Sequence, residues 1–149
     1  MYLSPSHVGE LLDCPRRWFL SRRLGASGTM SAKAQAGSLV HRIAEENAEH
    51  WSLDRAMDQL DAEWATICFD YEWESRAVLE NCREGLRRLD GWLMQSSHRE
   101  LVGTEVPVTH VFDLPSAVVH ISGSIDRLER DEAGNHIVID YKTGTKLPG

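Results

Sequence analysis

Two aspartates and a lysine stand out in the segment "GSIDRLERDEAGNHIVIDYKTG". The loop "DEAGN" predicts a hairpin centred on Ala133, and Asp126 and Asp140 each lie seven positions from that centre. We therefore expect the two aspartates to face each other across the strands, with Cβ atoms about 5 Å apart. Asp140 and Lys142 are two positions apart and share one strand face. This combination fits a divalent cation with oxygen ligands, beside a lysine that can hold phosphate or a water nucleophile.

The spacing alone leaves other interpretations open. Short motifs match many sequences by chance, so Asp126 and Arg127 could form only a surface ion pair. Asp126 and Asp140 could also serve as the acid and base of a hydrolase that needs no metal. In that case the pKa of one aspartate would be raised by the charge of the other.

The charge of the chain is unevenly distributed. The net charge of −7 argues against a protein that coats nucleic acid non-specifically, because such binding depends on Lys and Arg. The segment "CPRRWFLSRRLG" nevertheless places four arginines beside Trp18 and Phe19. An acidic protein needs a local basic patch to admit a polyanion, so we expect DNA-backbone contacts from Arg16, Arg17, Arg22 and Arg23. The alternative is an ordinary solvated face, with Trp18 and Phe19 in the core.

The hydrophobic periodicity changes from helical to strand-like along the chain. Helical spacing predicts one or two short helices broken at Pro15 and then three amphipathic helices, in "AGSLVHRIAEENAEHW", "LDRAMDQLDAEWATICF" and "ESRAVLENCREGLRRLDGWLMQSS". From Leu101 onward, alternation predicts three strands, "LVGTEVPVTHVF", "AVVHISGSIDRLER" and "NHIVIDYKTG". Pro107 indicates an edge strand or a bulge. The pattern predicts an α/β protein in an α+β arrangement, with N-terminal helices followed by a mainly antiparallel sheet.

Composition limits the cellular setting. No segment approaches the roughly 20 apolar residues of a membrane span, and the N-terminus lacks the order of a signal peptide. The three cysteines Cys14, Cys68 and Cys82 are odd in number and far apart, which fits reduced thiols. We expect a cytoplasmic protein that does not bind membranes.

Five motifs, taken in order, resemble the RecB-like branch of the PD-(D/E)xK nuclease superfamily, which includes the nuclease domains of bacterial recombination helicase-nucleases. They are "LSPSHVGELLDCPRRWFL", "GSLVHRIAEE", "TEVP", "GSIDRLER" and "IDYKTG". The resemblance implies a restriction-endonuclease-like core and hydrolysis of DNA phosphodiester bonds with Mg²⁺ or Mn²⁺, exonuclease activity being favoured. It also implies a role in DNA repair or recombination, with a helicase domain or subunit as a partner.

The resemblance assigns roles to individual residues. The implied metal ligands are His41, Asp126, Asp140 and the backbone carbonyl of Tyr141. Lys142 would orient or activate the attacking water, and Glu105 matches an acidic residue near the metal that contributes to catalysis. Without the family, His41 fits better as a surface histidine paired with Glu45 one helical turn later.

The sequence departs from the family in two places. Many members have a further helix with a glutamine and a tyrosine after the "DYKTG" strand, whereas this sequence ends at "TKLPG". We therefore expect residues 1–149 to form a single nuclease-like domain without that helix, or a fragment. Some members also hold an iron–sulfur cluster; Cys14 matches its first ligand but Cys68 and Cys82 match none, so no cluster is expected. The alternative function is a catalytically inactive DNA-binding or scaffolding module derived from a helicase-nuclease.

Overall fold

The structure of the chain, a computed structural model, describes residues 2–23 and 30–142, without the side chains of Arg22 and Arg23. After the two-residue strand β1, five helices precede the other three strands, so the predicted mixed α/β class is confirmed. The order of elements is β1 (Tyr2–Leu3), α1 (Pro5–Asp13), α2 (Pro15–Arg23), α3 (Ala32–Glu46), α4 (Leu53–Trp64), α5 (Glu72–Gln95), β2 (Glu100–Leu114), β3 (Ala117–Arg130) and β4 (His136–Ile139).

Local capping and proline chemistry determine where α1 and α2 begin. The Ser4 hydroxyl accepts from the His7 N–H, and Nδ1 of His7 accepts from the Ser4 N–H at 3.1 Å. This is a capping box in which histidine takes the place of the usual Glu or Gln. Cys14 adopts an extended backbone before Pro15, as expected for a residue that precedes proline. The predicted helix break at Pro15 is confirmed.

Helix α3 begins earlier than the sequence pattern predicts. The segment "ASGTMSAKAQAG" has the small residues of a linker, but Ser31 caps a helix that starts at Ala32. The composition of this segment is typical of a loop, but residues 32–37 are helical, because a good cap followed by alanines favours helix over coil. Residues 26–29 of that segment lie outside the described residues.

The described residues form two compact units. The first contains residues 2–23 and 106–125, and the second contains residues 30–105 and 126–142. In the first unit, β1 pairs in parallel with β3, with Tyr2 opposite His120 and Leu3 opposite Ile121. Periodicity could not predict β1, since two residues are too few to show alternation.

The core of the second unit lies between α3, α4 and α5. Its buried side chains are Ala36, Leu39, Val40, Ile43, Ala56, Leu60, Cys82 and Leu86. The apolar stripe predicted on α3 is thus confirmed as its buried face over Leu39, Val40, Ile43 and Ala44. Burial raises the pKa of the Cys82 thiol to about 11, so this cysteine is an unreactive core residue at neutral pH.

The sheet is built around β3, whose neighbours are β1, β2 and β4. Strand β2, which contains Pro107, is an edge strand among the described residues, as predicted. Strand β4 pairs antiparallel with β3 in the predicted register: Arg127 lies opposite Ile139 and Arg130 opposite His136. The turn centred on Ala133 is also confirmed. Its Asp131 carboxylate accepts from the backbone and side chain of Asn135, and these bonds lower the pKa of Asp131.

A buried ionic network lies behind the β3–β4 hairpin. Glu129 is 2% exposed, and its carboxylate accepts from the Arg127 guanidinium at 2.6 Å. A second guanidinium, that of Arg99, lies 3.6 Å from the other oxygen of Glu129 and 5.0 Å from the ring centroid of Trp92. The interpretation of Arg127 as a partner in a surface ion pair is therefore wrong, because its side chain points to the buried face of strand β3. Alternation along β3 sends Asp126 to one face and Arg127 to the other.

None of the helices in residues 2–23 and 30–142 is long and apolar enough to cross a membrane.

Candidate metal centre

Three side chains of the second unit converge on one point. Ligand atoms of His41, Glu105 and Asp126 all lie within 4.8 Å of one another. They come from three different elements, α3, β2 and β3. One imidazole nitrogen and two carboxylate oxygens form a donor set that a divalent cation such as Mn²⁺ or Mg²⁺ can accept.

Helix α3 directs His41 toward Asp126. Val40 and Ile43 of the same helix are buried in the core and fix the helix in place. His41 lies between them in the sequence, and its ring is half-buried. Its Nδ1 lies 3.5 Å from Oδ2 of Asp126. The carboxylate neighbour of His41 is therefore Asp126 from the sheet, and not Glu45, the partner that helical spacing suggests.

A backbone hydrogen bond fixes the direction of the Asp126 carboxylate. Its side chain is 13% exposed, and its Oδ2 accepts a hydrogen bond from the backbone N–H of Tyr141 at 2.6 Å. A charged acceptor strengthens such a bond, so the carboxylate is fixed in direction. The β3–β4 register, continued by one residue, places Asp126 opposite Asp140 as predicted.

Glu105 has an unusual backbone. Its φ is +46°, in the left-handed region that costs a residue other than glycine about 1–3 kcal/mol. Such strain persists where the surrounding structure or a function requires it. The conformation brings the Glu105 carboxylate into the group with His41 and Asp126.

Asp140 and Lys142 stand apart from this group. Oδ2 of Asp140 lies 2.5 Å from Nζ of Lys142, and both side chains are more than half exposed. The Asp140 carboxylate is turned toward the lysine, and the group of three converging ligands does not include it. The two aspartates likewise form no acid–base pair with each other, since Asp126 faces Tyr141 and His41 while Asp140 faces Lys142.

Tyr141 contributes more than the sequence suggests. Besides donating its N–H to Asp126, it places its ring edge-to-face against His41, with ring centroids 5.7 Å apart. Burial of the ring raises the pKa of its phenol. Only the backbone carbonyl of Tyr141 was predicted to belong to the site. Alternation places the Tyr141 side chain on the face of Ile137 and Ile139, opposite that of Asp140, so the sequence carried no signal for the contact between its ring and His41.

The predicted DNA-binding arginines lie in the first unit. Arg16 and Arg17 occupy the first turn of α2 and are exposed. Trp18 is half-buried and Phe19 is exposed, so Phe19 is not a core residue. The side chains of the other two arginines, Arg22 and Arg23, lie outside the described residues.

A cavity of about 610 Å³ lies in the second unit. It is lined by Arg42, Glu45, Glu46, Ala48, Glu49, His50 and residues 101–104. Arg42 is already paired with Glu63 and Glu46, so the lining is acidic. Phosphate is repelled by such a surface, and the cavity is therefore unsuited to a nucleic-acid backbone.

Comparison with protein families gives one match. The model described as the PD-(D/E)XK nuclease superfamily matches residues 2–149. Among curated proteins, none is significantly similar to the chain.

Proposed function

Because the chain belongs to the PD-(D/E)XK nuclease superfamily over residues 2–149, we propose that it is a metal-dependent nuclease that hydrolyses phosphodiester bonds in DNA. The observation that carries the proposal is the convergence of His41, Glu105 and Asp126 ligand atoms within 4.8 Å. Three separate elements bring two carboxylates and a histidine together, and the two carboxylates repel each other. A divalent cation removes this repulsion between the two acids.

The proposed ion is Mg²⁺ or Mn²⁺, held by His41, Glu105 and Asp126. When bound, it supplies Lewis-acid polarisation of the scissile phosphate and lowers the pKa of a coordinated water. Asp126 keeps its direction through the hydrogen bond from Tyr141. The Tyr141 carbonyl would complete the ligand set.

Asp140 and Lys142 would complete the site through a change of side-chain rotamer. Both are exposed, and an exposed ion pair contributes only about 0–1 kcal/mol, so separating them costs little. Because the hairpin register places Asp140 opposite Asp126, a rotation of its side chain can bring the carboxylate to the metal ligands. Lys142 is then released to hold the attacking water.

Lys142→Ala is expected to lower the rate of DNA cleavage by about 10²-fold, because positioned proton-transfer groups contribute on that scale. Mn²⁺ affinity should stay within about twofold of wild type, since the lysine is no ligand. Single-turnover cleavage of linear DNA and calorimetric Mn²⁺ titration provide the two readouts. Lys33→Ala is the matched control, as it removes another exposed, ion-paired lysine. Unchanged cleavage in Lys142→Ala would remove the lysine from the mechanism.

The double variant Arg16→Ala/Arg17→Ala is expected to bind duplex DNA more weakly at every sequence. The slope of log K against log salt should become shallower by about 1.8, because each of the two phosphate interactions contributes about 0.9 to it. Fluorescence anisotropy at several salt concentrations measures this slope. Arg88→Ala, which removes an exposed arginine from α5, serves as the control. A slope equal to that of wild type would mean that these arginines do not bind phosphate.

Three more specific proposals rest on the order of the five motifs, and they concern the branch of the superfamily, the type of cleavage and the biological role. We propose the RecB-like branch, exonuclease activity and a role in DNA repair or recombination on that basis. A helicase partner has no support beyond the resemblance. A single domain over residues 1–149 stays a prediction, and so does the absence of an iron–sulfur cluster.

One observation favours a second candidate, a catalytically inactive DNA-binding or scaffolding module. Asp140 and Lys142 neutralise each other outside the ligand group, as they would if neither served in catalysis. Calorimetric titration of Mn²⁺ into the protein, with a cleavage assay on linear DNA with and without EDTA, separates the two functions. Metal binding with EDTA-sensitive cleavage supports the nuclease. DNA binding without Mn²⁺ binding or cleavage supports the inactive module, and cleavage that persists in EDTA contradicts both.

A further inference from the structure

We infer that the side chain of Tyr141 is a positioning residue that holds the ring of His41 in the metal centre. The inference rests on the proposed metal-dependent function and adds a second role to Tyr141, distinct from that of its backbone. The ring, and not the hydroxyl, carries this role.

The two rings have the geometry of a stabilising aromatic pair. The rings of His41 and Tyr141 are 5.7 Å apart between centroids and inclined by 75°. Edge-to-face pairs with centroids about 4.5–7 Å apart are favourable beyond the burial of their surface. The histidine ring otherwise turns easily about its last torsion, which has broad, roughly twofold minima. The tyrosine ring therefore limits the orientations in which the His41 nitrogens face the ligand group.

The hydroxyl of Tyr141 does not account for the position of the ring. It is buried and has no partner at good hydrogen-bond geometry, and its interaction with the nearby Arg127 guanidinium is a weak, poorly aligned one. A buried hydroxyl without a well-aligned partner is unfavourable, so its removal should cost little. Phenylalanine at this position should preserve the packing against His41.

Tyr141 touches two metal ligands through different atoms. Its backbone N–H binds Oδ2 of Asp126 at 2.6 Å, and the same oxygen lies 3.5 Å from Nδ1 of His41. Replacing the side chain leaves the backbone bond in place. The two roles can therefore be separated by mutation.

Tyr141→Leu is expected to weaken Mn²⁺ binding by about 3- to 10-fold. This factor corresponds to the free energy of one aromatic pair. Tyr141→Phe should stay within about twofold of wild type. Calorimetric titration of Mn²⁺ into the full chain gives both affinities. Tyr71→Leu is the matched control, because it replaces an exposed tyrosine at the start of α5. Equal Mn²⁺ affinities for Tyr141→Leu and wild type would overturn the inference.

A double-mutant cycle separates positioning from general destabilisation. In the His41→Ala background, Tyr141→Leu should have no further effect on Mn²⁺ affinity, since the ring it positions is gone. The same loss in both backgrounds would overturn the inference, because the tyrosine would then act by another route.

A metal-free measurement covers the case in which affinities are too weak to compare. The proton resonances of the His41 ring should shift in Tyr141→Leu and remain close to wild type in Tyr141→Phe, because only leucine removes the aromatic ring current. Unchanged His41 resonances in Tyr141→Leu contradict the ring pairing itself. If wild type binds no Mn²⁺ while these resonances respond as expected, the proposed nuclease function fails and the ring pairing stands.

Discussion

Asp126→Ala is expected to abolish measurable Mn²⁺ binding and to lower DNA cleavage by at least about 10³-fold. The Oδ2 atom of this side chain both accepts a hydrogen bond from Tyr141 and lies beside His41. A bound cation contributes several kcal/mol of transition-state stabilisation, and each 1.36 kcal/mol corresponds to about tenfold in rate. Loss of the carboxylate removes a negative charge that binds the cation. It also removes the contact that aligns the other ligands.

Two further variants show whether charge or shape is responsible. Asp126→Asn keeps an acceptor for the Tyr141 N–H but loses the charge, so it should also fail to bind Mn²⁺ while retaining the thermal stability of wild type. Asp58→Ala, at an exposed position of α4, should bind and cleave normally. Normal cleavage by Asp126→Ala would place the active site elsewhere on the protein.

Glu129→Ala is expected to lower the free energy of unfolding of the second unit by about 3–5 kcal/mol. The carboxylate is 2% exposed and is paired with Arg127, which is itself 7% exposed. Removing one partner of a buried pair leaves the other charge without compensation and without water. That loss is a large part of the roughly 5–15 kcal/mol that stabilises a typical domain.

Urea denaturation followed by circular dichroism measures this change. The matched control is Glu100→Ala, which breaks the exposed ion pair with Arg130 and should cost no more than about 1 kcal/mol. Glu129→Gln should fall between the two, because it keeps a hydrogen-bond acceptor for Arg127 but not the charge. Equal stability of Glu129→Ala and Glu100→Ala would show that the buried network contributes nothing beyond a surface pair.

The two large effects come from positions on opposite faces of β3. Asp126 belongs to the ligand group, whereas Glu129, three positions later, is paired with Arg127 in the buried network. The Asp126 and Glu129 variants should therefore separate loss of function from loss of stability. Asp126 variants are expected to remain folded, whereas Glu129→Ala should unfold at lower urea.

Local chemistry made several features predictable. The β3–β4 register followed from the turn residues around Ala133 and the equal distances of Asp126 and Asp140 from it. The break at Pro15 followed from the backbone preference of the residue that precedes a proline. These features depend on neighbours within a few positions, so the sequence by itself determined them, together with the order of helices and strands.

Only the tertiary structure decided which side chains meet. His41, Glu105 and Asp126 come from different elements, and the left-handed backbone of Glu105 has no signal in the sequence. The burial of Arg127 and the packing of the Tyr141 ring against His41 were likewise not predicted. Side-chain contacts of this kind depend on how helices pack against strands, and that packing balances burial, charge and strain over residues far apart in the chain. A motif therefore identifies candidate ligands, whereas the packing determines which of them face one another.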